Sequence, residues 1–269
     1  MWHHSHSIFR KLPIWLLAMA MCWSVLADPV MAALRLKPRL AASAPLKHWS
    51  DLARQTVQIH TGRAWCLGTI ISDTQVITAA HCVYRWSRKK HGTWRKGMSS
   101  AVPIEARRIA VVFTHADIKR RIKSFRGNKA NDVALIEMGV RHPEGFGVPR
   151  IDMRSADELL KDKKLPLKHV TIVGRQNERL LKLEKQRTWV FRTPARNRFV
   201  VVYIKGGAAC RGDSGGPVYG STKAGRVLVG MIHGAALRRK KYVVPNTRGQ
   251  CSKYLYFTPM GTILEALRP

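Results

Sequence analysis

Acidic residues are scarce in this chain: 16 Asp and Glu stand against 48 Lys and Arg, giving a formal net charge of +32 over 269 residues. No ordered nucleic-acid motif accompanies that excess. It reads either as a solvated basic surface or as a standing attraction to anionic polymers and envelope surfaces. Helix signals are few, and no internal repeat or low-complexity tract is present, so no helical or repetitive architecture is indicated. The histidines are scattered, with no metal-ligand constellation, and neither metal nor cofactor is expected. Only one long apolar run exists, from Leu12 to Ala27 after Arg10 and Lys11. It is short for a bilayer span, which needs about 20 residues, and right for the core of a signal peptide. Small-residue cleavage patterns follow at Val25-Leu26-Ala27 and Val30-Met31-Ala32. Residues 1–32 are therefore expected to be a signal peptide that sends the mature chain to a periplasm or outside the cell. An uncleaved anchor is the alternative. Cys22 follows Met21, where a lipoprotein signal wants a small residue.

Removing residues 1–32 leaves four cysteines, Cys66, Cys82, Cys210 and Cys251. An even count in an exported chain suggests two disulfides, and four cysteines allow three pairings. Residues 33–51 are rich in proline and alanine and read as a leader. Beyond them the pattern is short strands: 55–60, 69–72, 75–78, 108–113, 132–138, 169–174, 199–204, 227–233 and 253–257. Many short strands between turns argue for an all-β barrel or sandwich. Ser155 and Glu158 make a possible capping box, and Thr258-Pro259 could open a terminal helix. Residues 139–168 carry few strand signals and could join two lobes, 52–150 and 151–269. Between Val83 and Ala130, fourteen Lys and Arg meet two acids, with Tyr84, Trp86 and Trp94 interleaved. This stretch reads first as a solvated surface loop and second as a base-stacking, phosphate-holding surface. Arg238 to Lys241 is a second basic loop.

The chemistry concentrates in "AACRGDSGGPV", residues 208–218. Gly212 to Gly216 matches the G-x-S-x-G pattern of the α/β-hydrolase nucleophile elbow, but that fold needs an acid and then a histidine after the serine. His233 is the only histidine downstream of Ser214, and no Asp or Glu lies between them. The reverse order, His then Asp then Ser, is available. "QVITAAHC" supplies His81 at the end of a strand, and "NDVALIEM" supplies Asp132 at the head of another.

"ITAAHC", "NDVALIEM" and "CRGDSGGPV", in that order, resemble the three signature segments of the trypsin/chymotrypsin family. The resemblance covers roughly residues 52–269. It implies two antiparallel β-barrels packed face to face, a short C-terminal helix and an active site in the cleft between them. It implies a serine endopeptidase in which Ser214 is the nucleophile, His81 the general base and Asp132 the group that fixes the tautomer of His81. The backbone N–H groups of Gly212 and Ser214 would form the oxyanion hole. The implied disulfides are Cys66–Cys82 and Cys210–Cys251. The implied partner is a protein or peptide substrate, and a monomer is expected. The competing reading is a non-enzymatic basic protein on a protease scaffold that binds anionic polymers; such relatives normally lose triad residues.

Three positions depart from the family pattern. No "IVGG" start is present; spacing from Cys66 lands near Arg39-Leu40, so cleavage there could offer an α-amino group to Asp213, or the cation meeting Asp213 could come from elsewhere. Ala208, six residues before Ser214, stands where Arg/Lys-specific members carry an aspartate; with Ala209 it implies a pocket for small or medium apolar side chains. His233 falls on the strand that runs beside the substrate. It could receive a glutamate side chain as in some glutamyl endopeptidases, hydrogen-bond Asp132 in place of the usual serine, or do neither.

Overall fold

The computed structural model describes residues 44–45, 50–62, 64–85, 100–114, 116–155, 158–159, 169–176, 179–192, 198–205, 208–222, 225–239, 242–245 and 251–268. The expected signal peptide, the Arg39-Leu40 junction, Trp86, Trp94 and Lys240-Lys241 lie outside the described residues. In chain order, β1 (Ala44–Pro45) and the one-turn helix α1 (Asp51–Arg54) precede β2 (Thr56–His60), β3 (Trp65–Ile70) and β4 (Gln75–Ala79). Then come α2 (Ala80–Val83), β5 (Tyr84–Arg85), β6 (Val102–Pro103), β7 (Ala110–Phe113), β8 (Ile118–Arg121), β9 (Ser124–Asn128) and β10 (Val133–Glu137). After a connector follow β11 (His169–Gln176), β12 (Arg179–Arg192), β13 (Arg198–Tyr203), β14 (Pro217–Thr222), β15 (Gly225–Arg239), β16 (Tyr242–Pro245), β17 (Tyr254–Pro259) and the terminal helix α3 (Met260–Ala266).

One sheet runs β8-β7-β2-β3-β4-β10-β9. Its outer strands, β8 and β9, are neighbours in the chain, joined through Ile122 and Lys123, so the sheet curls back on itself. The other runs β1-β12-β11-β14-β15-β17-β13, and an added β12–β13 pairing closes six of its strands into a ring. The ladders are antiparallel. The architecture is all-β with a short C-terminal helix and matches the chymotrypsin fold.

The interiors explain why these segments become strands. Val57, Ile59, Leu67, Ile70, Val76, Ile77, Val133 and Ile136 are β-branched or leucine side chains packed inside the first sheet and fully out of solvent. Each such burial contributes about 1.5–3 kcal/mol. The same apolar cluster reaches Val173, Tyr219, Leu228, Met231 and the α3 residues Met260 and Ile263. Polar ties reinforce the join: Tyr219 Oη donates to Gln55 Oε1 at 2.9 Å, and Asn128 Nδ2 donates to the Ala266 carbonyl at 3.2 Å. The two sheets are thus packed and hydrogen-bonded to each other. Both disulfides form, Cys66–Cys82 and Cys210–Cys251, with sequence separations of 16 and 41. Loop closure on that scale contributes about 3–4 kcal/mol each.

Ser155 and Glu158 form the reciprocal capping box: the Ser155 N–H donates to Glu158 Oε2 at 2.7 Å and the Glu158 N–H to Ser155 Oγ at 3.3 Å. Pro259 is the N-cap of α3 and still belongs to β17, so the helix begins one residue later than a proline in its first turn would place it. Arg238 and Arg239 are strand residues paired with Val243 and Tyr242, so the second basic stretch begins in a hairpin arm rather than a loop.

Candidate active site

His81 lies in α2, the single turn that follows β4. Asp132 immediately precedes β10, which pairs with β4, with Val133 opposite Ala79. That register brings the two residues together. Asp132 takes a left-handed backbone conformation with φ of 53°, a region that aspartate enters more readily than most residues. Its main-chain carbonyl accepts the Ala80 N–H at 3.1 Å and its Oδ1 accepts the His81 N–H at 2.8 Å. Its Oδ2 meets the ring Nδ1 of His81 at 2.7 Å. One aspartate thus pins both the backbone and the imidazole of the histidine turn.

His233 occupies a third position on the same carboxylate. Its Nε2 lies 2.9 Å from Asp132 Oδ2. The β15–β17 register shifts between Ile232 and Gly234, a bulge centred on His233. Bulges re-aim side chains, which is how a strand residue turns toward Asp132. The carboxylate is only 1% exposed. Burial alone would raise its pKa. The charges and hydrogen bonds of His81 and His233 outweigh that and hold the carboxyl well below the usual carboxylate range. An ionised carboxylate accepts only, so Nδ1 of His81 and Nε2 of His233 carry the protons.

Ser214 reaches this pair through backbone. Its carbonyl accepts the Leu67 N–H at 2.8 Å, and the Gly215 N–H donates to the Ile232 carbonyl at 2.7 Å. Leu67 adjoins Cys66, whose disulfide partner Cys82 adjoins His81. A ring nitrogen of His81 and both sulfurs lie within 4.8 Å of one another. The sulfurs are bonded together and offer no thiolate ligand, so this cluster is a braced histidine rather than a metal site. Gly215 has φ of 86°, and a Cβ there would overlap the Leu67 carbonyl oxygen and the Thr78 hydroxyl. The loop can dock this closely only because residue 215 is glycine. Gly212 has φ of 99°, but a Cβ would find the nearest atom, the Trp65 carbonyl oxygen, at 3.5 Å. Glycine is required there by conformation rather than by space.

Asp213 is buried beneath the loop. Its Oδ1 accepts the Arg175 N–H and its Oδ2 the Cys210 N–H, both at 2.8 Å. Sequence reading left its partner open and had no signal for these donors, because backbone amides carry none. It also missed Arg175 itself, whose guanidinium stacks on Trp65 at 4.6 Å while Nε donates to Gln58 Oε1 at 2.8 Å. Ala208 and Ala209 are both buried. Ala209 exchanges two backbone hydrogen bonds with Ser252, at 2.7 and 2.8 Å, beside the Cys210–Cys251 disulfide. The Ser252 hydroxyl donates in turn to the Ala236 carbonyl.

Two antiparallel lobes, one bearing a braced histidine–aspartate pair and the other a glycine-framed serine loop, define a serine-protease scaffold. A family model described as Trypsin matches residues 50–248, and the chain belongs to that family. No curated protein matches it.

Proposed function

We propose that the protein is an exported serine endopeptidase that cleaves peptide bonds through an acyl-enzyme. The observation that carries this reading is the arrangement of donors on Asp132. With Nδ1–H of His81 held on Oδ2, Nε2 is the basic nitrogen and takes the Ser214 hydroxyl proton as Oγ attacks the scissile carbonyl. The oxyanion forms against the N–H groups of Gly212 and Ser214, each worth about 10²–10³-fold in rate. His81 then passes its proton to the leaving amine. A water, activated by the same nitrogen, releases the acyl group.

Asp132 stabilises the imidazolium and keeps its orientation, and His233 positions Asp132 in place of a serine. The 2.9 Å contact of His233 Nε2 supports this role over glutamate recognition. Ala208 and Ala209 bring no charge to the pocket, which favours small or medium apolar side chains over Arg and Lys. Two formed disulfides fit an oxidising compartment reached through the 1–32 segment, and the lobes correspond to 52–150 and 151–269. Hydrolysis of casein by the mature chain, abolished in Ser214→Ala, is the expected result. Undiminished hydrolysis in that variant would assign the activity elsewhere. A protein that binds heparin at low salt but never hydrolyses casein would favour the non-enzymatic reading.

A further inference from the structure

A cavity of about 370 Å³ opens on the first lobe, lined by His60, Arg85, Arg107, Arg108, Lys119 and Arg121, with the turn Thr61-Gly62 at its edge. Five cations converge there. Glu105 lies among them, paired with Arg107 at 2.6 Å and Arg108 at 3.5 Å, so the site keeps a large positive excess. His60 registers that excess. Its pKa is lowered, first by burial and then by the charges of Lys119, Arg121 and Arg175.

The cavity is tied to the catalytic face by two routes. Arg85 lies on β5, which continues directly from the α2 turn that holds His81. The His60 ring packs on Trp65 with centroids 4.2 Å apart, and the Trp65 carbonyl borders Gly212. The cavity therefore lies on the same lobe as His81, the residue that hands its proton to the leaving amine, and is linked through Trp65 to the serine loop.

On the reading of the chain as a protease, we propose that this cavity binds acidic side chains of the substrate, a few residues on the leaving-group side of the scissile bond. Charge complementarity selects the occupant. The cavity volume suits one or two carboxylate side chains, and exposed guanidinium groups pair with carboxylates bidentately. The same field discriminates against the enzyme's own polypeptide. With 48 Lys and Arg and only 16 acids, most segments of a second copy would carry positive charge into a positive cavity and be repelled. Specificity by repulsion is a recognised device, and here it would limit self-digestion.

The test uses the mature full chain and a pair of peptides built on a sequence it cleaves in casein, followed by four Glu or by four Ala. The readout is the ratio of kcat/KM for the two peptides, measured within each protein. At about 0.05 M salt the wild type is expected to prefer the Glu peptide about ten-fold, and about 0.5 M salt should collapse that preference. The quadruple variant R107A/R108A/K119A/R121A is expected to show a ratio near one at low salt. A ratio is unaffected by the folded fraction, and the wild-type salt arm stands without the variant. Equal cleavage of both peptides by the wild type overturns this inference and leaves proteolysis standing. A Glu preference that the variant retains also overturns it. A mature chain that cleaves nothing in casein, and so offers no sequence on which to build the peptides, overturns both readings. Inhibition by a sulfated polysaccharide, with a peptide ratio of one, assigns the cavity to a polymer instead and overturns the peptide assignment.

Discussion

Removing the imidazole of His233 while keeping Asp132 separates the two roles open to this histidine. As a positioning group it donates one hydrogen bond to a buried carboxylate, and bonds to charged groups are worth about 1.5–3 kcal/mol. His233→Ala is expected to lower kcat/KM about 10–100-fold, mostly through kcat and equally for all substrates, and His233→Ser to recover part of the loss. Selective loss of glutamate-directed cleavage would instead make His233 a specificity residue. Asp132 carries a pH prediction. Its folded pKa is depressed, so its stabilising contribution is fully present above the ordinary carboxylate pKa of about 3.9 and is lost only as pH falls through the lower folded value. A ¹³C-Asp NMR titration should show this carboxyl still ionised at about pH 3.9; a midpoint at or above that value would contradict the geometry. His81 and Asp132, which the structure brings together, were readable because their flanking motifs fix residue type and chain order. Arg175 and His60 were not. What matters at 175 is a backbone N–H, and His60 acquires its cationic neighbours from strands that only the fold brings together.

Two glycines test the serine loop as an element. Gly215→Ala places a Cβ on the Leu67 carbonyl and in a positive-φ conformation, so it is expected to cost about 2–4 kcal/mol and to undock the loop. Gly212→Ala meets only the conformational strain, about 1–2 kcal/mol. Thermal melts of the two variants should rank in that order; equal losses would mean that close docking does not hold the loop. The nine strands expected from sequence all overlap observed ones, most of them running a residue or two past an observed end, because β-branched runs such as Val200-Val201-Val202 have no better use than a sheet interior. Three of the strands without such a signal show why. Arg179–Arg192 mixes charges into its alternation, yet Leu181 and Leu183 are buried and the strand pairs with both β11 and β13. Ile118–Arg121 and Ser124–Asn128 form the edges of the first sheet, where solvated Lys and Arg side chains hide the period. Counting cysteines allows three pairings, and the one that the family resemblance implies is the one that forms.

At the scale of the whole molecule, the position of the mature N-terminus tests how the serine loop is held. Asp213 accepts hydrogen bonds from two backbone amides, Arg175 and Cys210, so its loop has anchors that do not depend on a newly cut α-amino group. A chain beginning at Ala33 is expected to react with a serine-directed phosphonate as fast as one beginning at Leu40; reaction by the Leu40 form alone would establish activation by cleavage after Arg39. Among the described residues no helix is long and apolar enough to cross a membrane. Whether Ser214 of this basic chain is a nucleophile is decided by treating the mature protein with that phosphonate and mapping the adduct by mass spectrometry. One adduct per chain is expected, on Ser214, and none in Ser214→Ala. An adduct on another residue, or no adduct in a protein that hydrolyses casein, would contradict it.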